Sequence, residues 1–305
     1  MQRSFLILLT ISSVVLAGEP DAFRPIGQTQ PASSSPWKFS FDLGYSQQSE
    51  TDIDSGGEFS ADHTSVSFGI AKAIEPGRLV GLSVGYGYSD YQFSGLASAP
   101  WGEVHSLSLS APVRWTLSDR WGLFAMPFVR SQYESGASVN DGVTGGLLMA
   151  ASYRVSDRLT IGPGIVVSSQ LEDSLNVFPI IMFKWKITEG LVLQTGSGNA
   201  GVSGASLSLD WKANDQWSFS LGARYEKLRF RLDDNGPVPD GVGEEKGLPV
   251  YLAATYHFSK DNALTLYGGM KFAGSLVIEN SSGNKLADSD YDRAAVFGLR
   301  WKLQF

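Results

Sequence analysis

The chain has 305 residues, with 24 Lys and Arg against 31 Asp and Glu, a net charge of −7 and no cysteine. The acidic balance argues against nucleic-acid binding, which needs a basic footprint. The missing thiols exclude a disulfide scaffold and a lipoprotein anchor.

"MQRSFLILLTISSVVLAG" places Arg3 before an apolar run from Phe5 to Leu16, followed by the small residues Ala17 and Gly18. That is the layout of a secretory signal peptide, too short to span a bilayer as a helix, and we expect 1–17 to be the leader. Without Arg3, 23 basic residues face 31 acidic ones, a net charge of −8. Residues 18–36, rich in Pro, Ser and Gln, read as a flexible linker. Beyond the leader no apolar stretch approaches the roughly 20 residues of a membrane helix. A membrane protein of this sequence has to cross with strands.

From Trp37 onward the chain alternates. "WKFSFDLGY" puts Trp37, Phe39, Phe41, Leu43 and Tyr45 on one face and Lys38, Ser40, Asp42 and Gly44 on the other, the period of a strand. A turn then repeats. In "RWTLSDRWGL", "SYRVSDRLTI", "KWKITEGLVL" and "DWKANDQWSF", an aromatic and an apolar residue two positions later lead into a tight polar turn. Such tips suit hairpins. "TYHFSKDNALTL" and "AIEPGRL" are longer or looser versions. Most other connections are longer and more polar: 48–61, 91–102, 134–142, 232–246 and 279–291, with short ones near 171–173 and 198–203. The runs between turns predict strands at 37–47, 62–73, 79–90, 103–117, 121–133, 143–155, 159–170, 174–187, 190–197, 203–212, 216–231, 247–259, 263–278 and 292–305. That makes fourteen, or twelve if the weak pair around 190–212 merges.

Seven of the eight tryptophans, Trp37, Trp115, Trp121, Trp185, Trp211, Trp217 and Trp301, fall on the apolar face at the short-turn ends of strands; Trp101 lies at the loop end. Amphipathic rings gather at a membrane–water interface, so these seven predict an aromatic girdle at one rim. The last segment, "GLRWKLQF", is the pre-turn half of the repeat, with Leu299, Trp301, Leu303 and Phe305 on one face. It has to pair with the first strand, because a sheet in lipid leaves no open edge.

In these features the region 37–305 resembles the bacterial outer-membrane β-barrel proteins, whose closing strand typically ends in phenylalanine. The resemblance implies an all-β, transmembrane, antiparallel up-and-down barrel in the outer membrane, with short periplasmic turns and longer extracellular loops. It also implies that Phe305 is read by the barrel-assembly machinery and that the outer face meets lipid and lipopolysaccharide.

Few residues suggest catalysis, and no cofactor or metal site is expected. His105 neighbours Glu103, Ser106 and Ser108, but alternation turns both serines to the opposite face. "DH" at 62–63 is an equally thin hint, and His257 is predicted inward and alone. No phosphate loop, dinucleotide fingerprint or metal-ligand spacing occurs in a usable context. The acidic residues Glu50, Asp52, Asp54, Glu58 and Asp62, and Asp233, Asp234, Asp240, Glu244 and Glu245, read as a solvated outer surface or as a place to recruit divalent cations.

Alternation points Lys38, Arg114, Arg130, Arg154, Lys184, Lys186, Lys212, Arg224, Lys271, Arg300 and Lys302 inward, against Asp42, Asp210 and Glu226. Such a basic wall favours anions. Phe124, Met126, Phe128, Leu148, Phe178, Ile180 and Met182 form an inward apolar patch, either a path for a greasy solute or a packing surface. Fourteen strands enclose more space than wall side chains fill, and the 18–36 region is too short for a plug domain. These readings converge on a channel for passive diffusion of small polar or anionic solutes. The alternatives are a transporter of hydrophobic molecules and a non-conducting surface or envelope-scaffolding barrel.

Overall fold

The computed structural model describes residues 37–196 and 206–305. The leader and linker expected over 1–36, and the short connection near 198–203, lie outside the described residues. Among the described residues there is no helix, so none is long and apolar enough to cross a membrane.

Among the described residues, seventeen strand segments form one sheet. They are β1 (Lys38–Asp52), β2 (Glu58–Glu75), β3 (Arg78–Ser94), β4 (Glu103–Ser110), β5 (Val113–Thr116) and β6 (Trp121–Glu134). Then come β7 (Val143–Arg154), β8 (Leu159–Gln170), β9 (Asp173–Lys186), β10 (Leu191–Thr195), β11 (Ser206–Lys212) and β12 (Trp217–Arg224). The last five are β13 (Glu226–Arg231), β14 (Val242–Ser259), β15 (Asn262–Glu279), β16 (Lys285–Tyr291) and β17 (Ala294–Gln304). Three pairs, β4 with β5, β12 with β13 and β16 with β17, are single strands interrupted by one or two residues, which leaves fourteen staves. β10 and β11 stay separate, so the twelve-strand alternative falls.

The cylinder closes where β17 pairs antiparallel with β1 from Ser40↔Gln304 to Gln48↔Val296. Phe39 and Phe305 add a backbone pair, N–H to O distances of 2.7 and 3.0 Å, and stack their rings 5.9 Å apart. The repeated turn is one structure used four times. Leu117, Val155, Ile187 and Ala213 each donate to the carbonyl four residues ahead at 2.9–3.0 Å. Ser118, Ser156 and Asn214 side chains accept from backbone N–H groups inside their turns, which is why small polar residues recur there.

Alternation decides facing throughout. The seven short-turn tryptophans are outward and 36–52% exposed, whereas Trp101 is 2% exposed. On β6, Trp121, Leu123 and Val129 are exposed outward, so Phe124, Met126 and Phe128 are inward.

At the loop end the strands run further than alternation predicts. β1 reaches Asp52 and β2 begins at Glu58, so the expected 48–61 loop shrinks to the five residues 53–57. The expected 232–246 and 279–291 loops shrink likewise, to 232–241 and 280–284. Polar side chains on both faces erase the period-two signal there, but the backbone ladder continues.

A second difference shapes the lumen. β13 and β14 pair from Glu226↔Gly247 to Arg231↔Val242, and this hairpin leans inward until Arg231 meets Tyr133 of β6 on another part of the wall. The bend has two local causes. Tyr225 interrupts the β12–β13 strand, and the β14–β15 register slips between Lys246 and Leu248, opposite Ala273 at φ 49°. Such a bulge bends a strand and increases its twist.

Candidate functional site: a polar lumen beneath an inward hairpin

The hairpin carries two kinds of side chain across the loop-end mouth. Phe230, fully buried, meets Trp101 edge-on at 5.3 Å between ring centres and belongs to a core with Phe59, Tyr91, Val104 and Leu232. Burying such a ring is worth about 1.5–3 kcal/mol. The alternating cations hold the other face. Arg229 grips Glu279 at 2.5 Å and Glu244 at 3.1 Å and donates to the Leu171 carbonyl at 2.9 Å. Arg231 pairs with Glu172 at 2.6 Å and donates to the Asp141 carbonyl at 3.1 Å. Glu134 ties two loops together by accepting from the amides of Gly102 at 2.8 Å and Asp233 at 2.9 Å. Burial raises the Glu134 carboxyl above its ordinary range, and these two amides pull it back.

Glu244 and Glu245 therefore leave the outer acidic surface to which the sequence assigned them. They are 3% and 4% exposed. Glu244 pairs with Lys227 at 2.7 Å and also with Lys246. Glu245 pairs with Lys271 and accepts from Tyr91 at 2.6 Å and Tyr291 at 3.0 Å. Two adjacent acids in a polar run look solvated, but the leaning hairpin carries both into the barrel. Among the described residues no cluster of acidic or histidine side chains is arranged to hold a metal ion.

Beneath the hairpin lies a cavity of about 200 Å³. Its lining combines the small residues Gly44, Ser65, Gly85, Gly87, Ser106 and Ser108 with the charged Arg130, Glu226, Lys227, Glu245, Lys271 and Arg300. Small side chains let the wall's backbone come to the cavity surface, and this creates the space.

The eleven basic residues fall into groups. Arg300 pairs with Asp42 at 2.6 Å. Arg224 and Lys271 are buried and share Glu226. Arg130 donates to Thr144 at 3.0 Å and lies 5.8 Å from the Phe128 ring centre. Arg114 lines a small cavity with Phe124 and Met182. Lys184 and Lys186 flank the outward Trp185, and Lys38, Arg154 and Lys302 occupy inward positions near the short-turn end. Lys212 is largely exposed and pairs with Asp215 of its own turn at 2.7 Å, which holds that carboxyl below its usual range. Asp210 accepts from Gln194 and Ser208 at 2.8 and 2.9 Å.

Four of the seven apolar-patch residues form a packed cluster, while Phe124 and Met182 line the small cavity with Arg114 and Met126 is buried apart from it. Phe128 and Phe178 bury themselves around Val166, with Leu148 and Ile180 against them. Sequence reasoning missed Val166, whose strand gave a continuous apolar run.

The histidines do not form a catalytic group. His63 shares a hydrogen bond with Ser89 at 2.8 Å. His257 is not alone, because Ser218 lies 3.0 Å from its Nε2. His105 faces outward, 2.8 Å from the Tyr86 hydroxyl, 2.9 Å from Ser135 and stacked on Tyr133. Ser135 donates to Glu103 at 3.0 Å, so the imidazole donates to the serine rather than taking its proton.

A family model matches residues 44–302 of the chain. The chain belongs to that family, described as "Domain of unknown function (DUF6268)". No curated protein matches the chain by sequence. Among solved structures, the COG4313 outer membrane channel from Pseudomonas putida F1 is similar with a TM-score of 0.51 at 14% identity, over 92% of this chain and 98% of that one. The P. putida toluene transporter TodX gives 0.43 at 9% identity over 93% of each chain. The KdgM porin gives 0.33 at 9% identity over 86% of this chain and 98% of that one. At these identities the first likeness shows a shared fold, the outer-membrane β-barrel. It does not carry over an activity.

Proposed function

We propose that this member of the DUF6268 family is a passive outer-membrane channel for small polar or anionic solutes, closed at its loop end by the β13–β14 hairpin. The observation that carries the reading is the polar, charged cavity of about 200 Å³ inside the barrel, directly under that hairpin. The setting is supported by an outward apolar surface with tryptophans at one rim and Tyr86, Tyr88, His105 and Tyr133 at the other, the two-belt pattern of a bilayer protein.

Inward lysines and arginines towards the short-turn end favour anions. The field is weaker than the raw count of eleven implies, because Arg224, Lys271 and Arg300 face carboxylates. Part of the apolar patch supports the wall, since Phe128 and Phe178 are buried in one cluster with Val166. This reading entails export, delivery to the barrel-assembly machinery and contact with lipopolysaccharide.

The test is planar-bilayer recording of the folded barrel beside a variant with 226–247 replaced by a short Gly-Ser turn. Stepwise currents that grow in the variant are expected. Silence from both would favour a non-conducting surface barrel.

A further inference from the structure

Among the described residues, the lumen contains buried donors with nothing to donate to. Arg224 is 3% exposed and Gln48 is 2% exposed. The Nε and one terminal nitrogen of Arg224, and the amide nitrogen of Gln48, have no hydrogen-bond partner among the described residues. Their other atoms are engaged: Arg224 meets Glu226, and the Gln48 oxygen accepts from Lys271 at 3.0 Å. Unpaired buried donors are costly.

Neighbouring acceptors do not answer them. The Glu226 oxygens are held by Arg224 and Lys271, and those of Glu245 by Lys271, Tyr91 and Tyr291. Both orphaned side chains line a small cavity of about 30 Å³. It shares Ser46, His63, Glu226, Tyr267 and Lys271 with the larger cavity. The missing partner is thus an acceptor reached from the main lumen space.

Charge narrows its class. The two cavities are lined by Arg130, Arg224, Lys227, Lys271 and Arg300 against Glu226 and Glu245. Counting Asp42 and Glu244, which pair with Arg300 and Lys227 from outside the lining, still leaves one positive charge in excess.

We propose that Arg224 and Gln48 anchor a binding site for a small oxyanion, a carboxylate or a phosphate, with the rest of the solute in the larger cavity. The site deepens the channel reading and rests on it for its access route. The larger cavity, about 200 Å³, is of the size that admits a small organic acid.

The test is calorimetry on the folded barrel in detergent, titrated with gluconate, with inorganic phosphate, and with sorbitol as the neutral counterpart of gluconate. Gluconate or phosphate should bind and sorbitol should not; the tighter of the two identifies the oxyanion. Gln48→Leu and Arg224→Met should each weaken that binding at least tenfold, with the heat-modifiable mobility of a folded barrel retained. Should Arg224→Met fail to fold, Gln48→Leu carries the test, because it breaks no ion pair. Absence of binding by both anions, equal binding of sorbitol, or unchanged affinity in Gln48→Leu would overturn the site. Bilayer currents recorded in parallel separate the two readings: binding without conductance keeps the site and removes the channel, and conductance without binding does the reverse.

Discussion

Tyr251 lies across Gly222 of the neighbouring strand, so closely that a Cβ on the glycine would come within 2.5 Å of the ring carbon Cζ and the phenolic oxygen. The same relation joins Tyr267 to Gly298 and Tyr291 to Gly274. A ring laid on a glycine covers backbone that would otherwise face the lumen. Gly222→Ala should therefore cost about 1–3 kcal/mol, the usual penalty of overpacking. Gly87→Ala, where the new carbon meets nothing closer than 3.4 Å, should cost far less. Denaturant unfolding in detergent measures both.

Leu252 is 66% exposed on the outer face. Leu252→Arg should destabilise the barrel in lipid vesicles by about 2–4 kcal/mol, as expected for a charge near the bilayer midplane. A neutral outcome in vesicles would remove the bilayer from the argument.

Phe230 fastens the hairpin to the far wall. Phe230→Ala should cost about 3–5 kcal/mol of packing if the site cannot collapse, paid locally at the mouth. The expected readout is longer or larger channel openings with unchanged mobility of the folded band; fewer openings would show that the hairpin does not obstruct.

Lys184 and Lys186 project from one strand towards the same lumen. Lys184→Glu with Lys186→Glu should move the reversal potential in a salt gradient towards cations. The outer acids oppose the anion preference proposed for the parent only weakly, since exposed charges are screened beyond about 8 Å at physiological salt. An unchanged potential would contradict the lumen-charge argument.

Removing Phe305 takes away two backbone hydrogen bonds and a ring stacked on Phe39. The expected loss is in the yield of folded barrel in cells, with conductance of the remaining molecules unaltered. Full yield would separate closure from this residue.

The staves were legible because lipid on one side and a polar lumen on the other impose period two. The facing of Trp115, Trp185 and Trp211 follows from that alone. What the sequence hid is the lean of the hairpin. Glu244 faces Arg229 across the hairpin ladder, but Glu245 finds Lys271 through a bulge and a bend, and no local pattern encodes that partner. One signal was present: the run 216–231 is longer than the roughly 9–11 residues that a tilted strand needs. It also keeps its alternation to the end, with Leu228, Phe230 and Leu232 spaced by Arg229 and Arg231. Surplus length with an apolar face points to burial above the membrane. The packing of Val166 gave no such hint.

The hairpin that covers the mouth is made of the barrel's own staves, continued past a bend at Tyr225 and a slip beside Gly247. It therefore behaves as a lever with its fulcrum in the wall. Swinging it outward keeps every rung of the β13–β14 ladder and releases the contacts it makes elsewhere in the barrel, Phe230 with Trp101, Arg231 with Glu172, Arg229 with the Leu171 carbonyl and Glu245 with Tyr91. Whatever loosens the tip should be felt as torsion in β14 and β15.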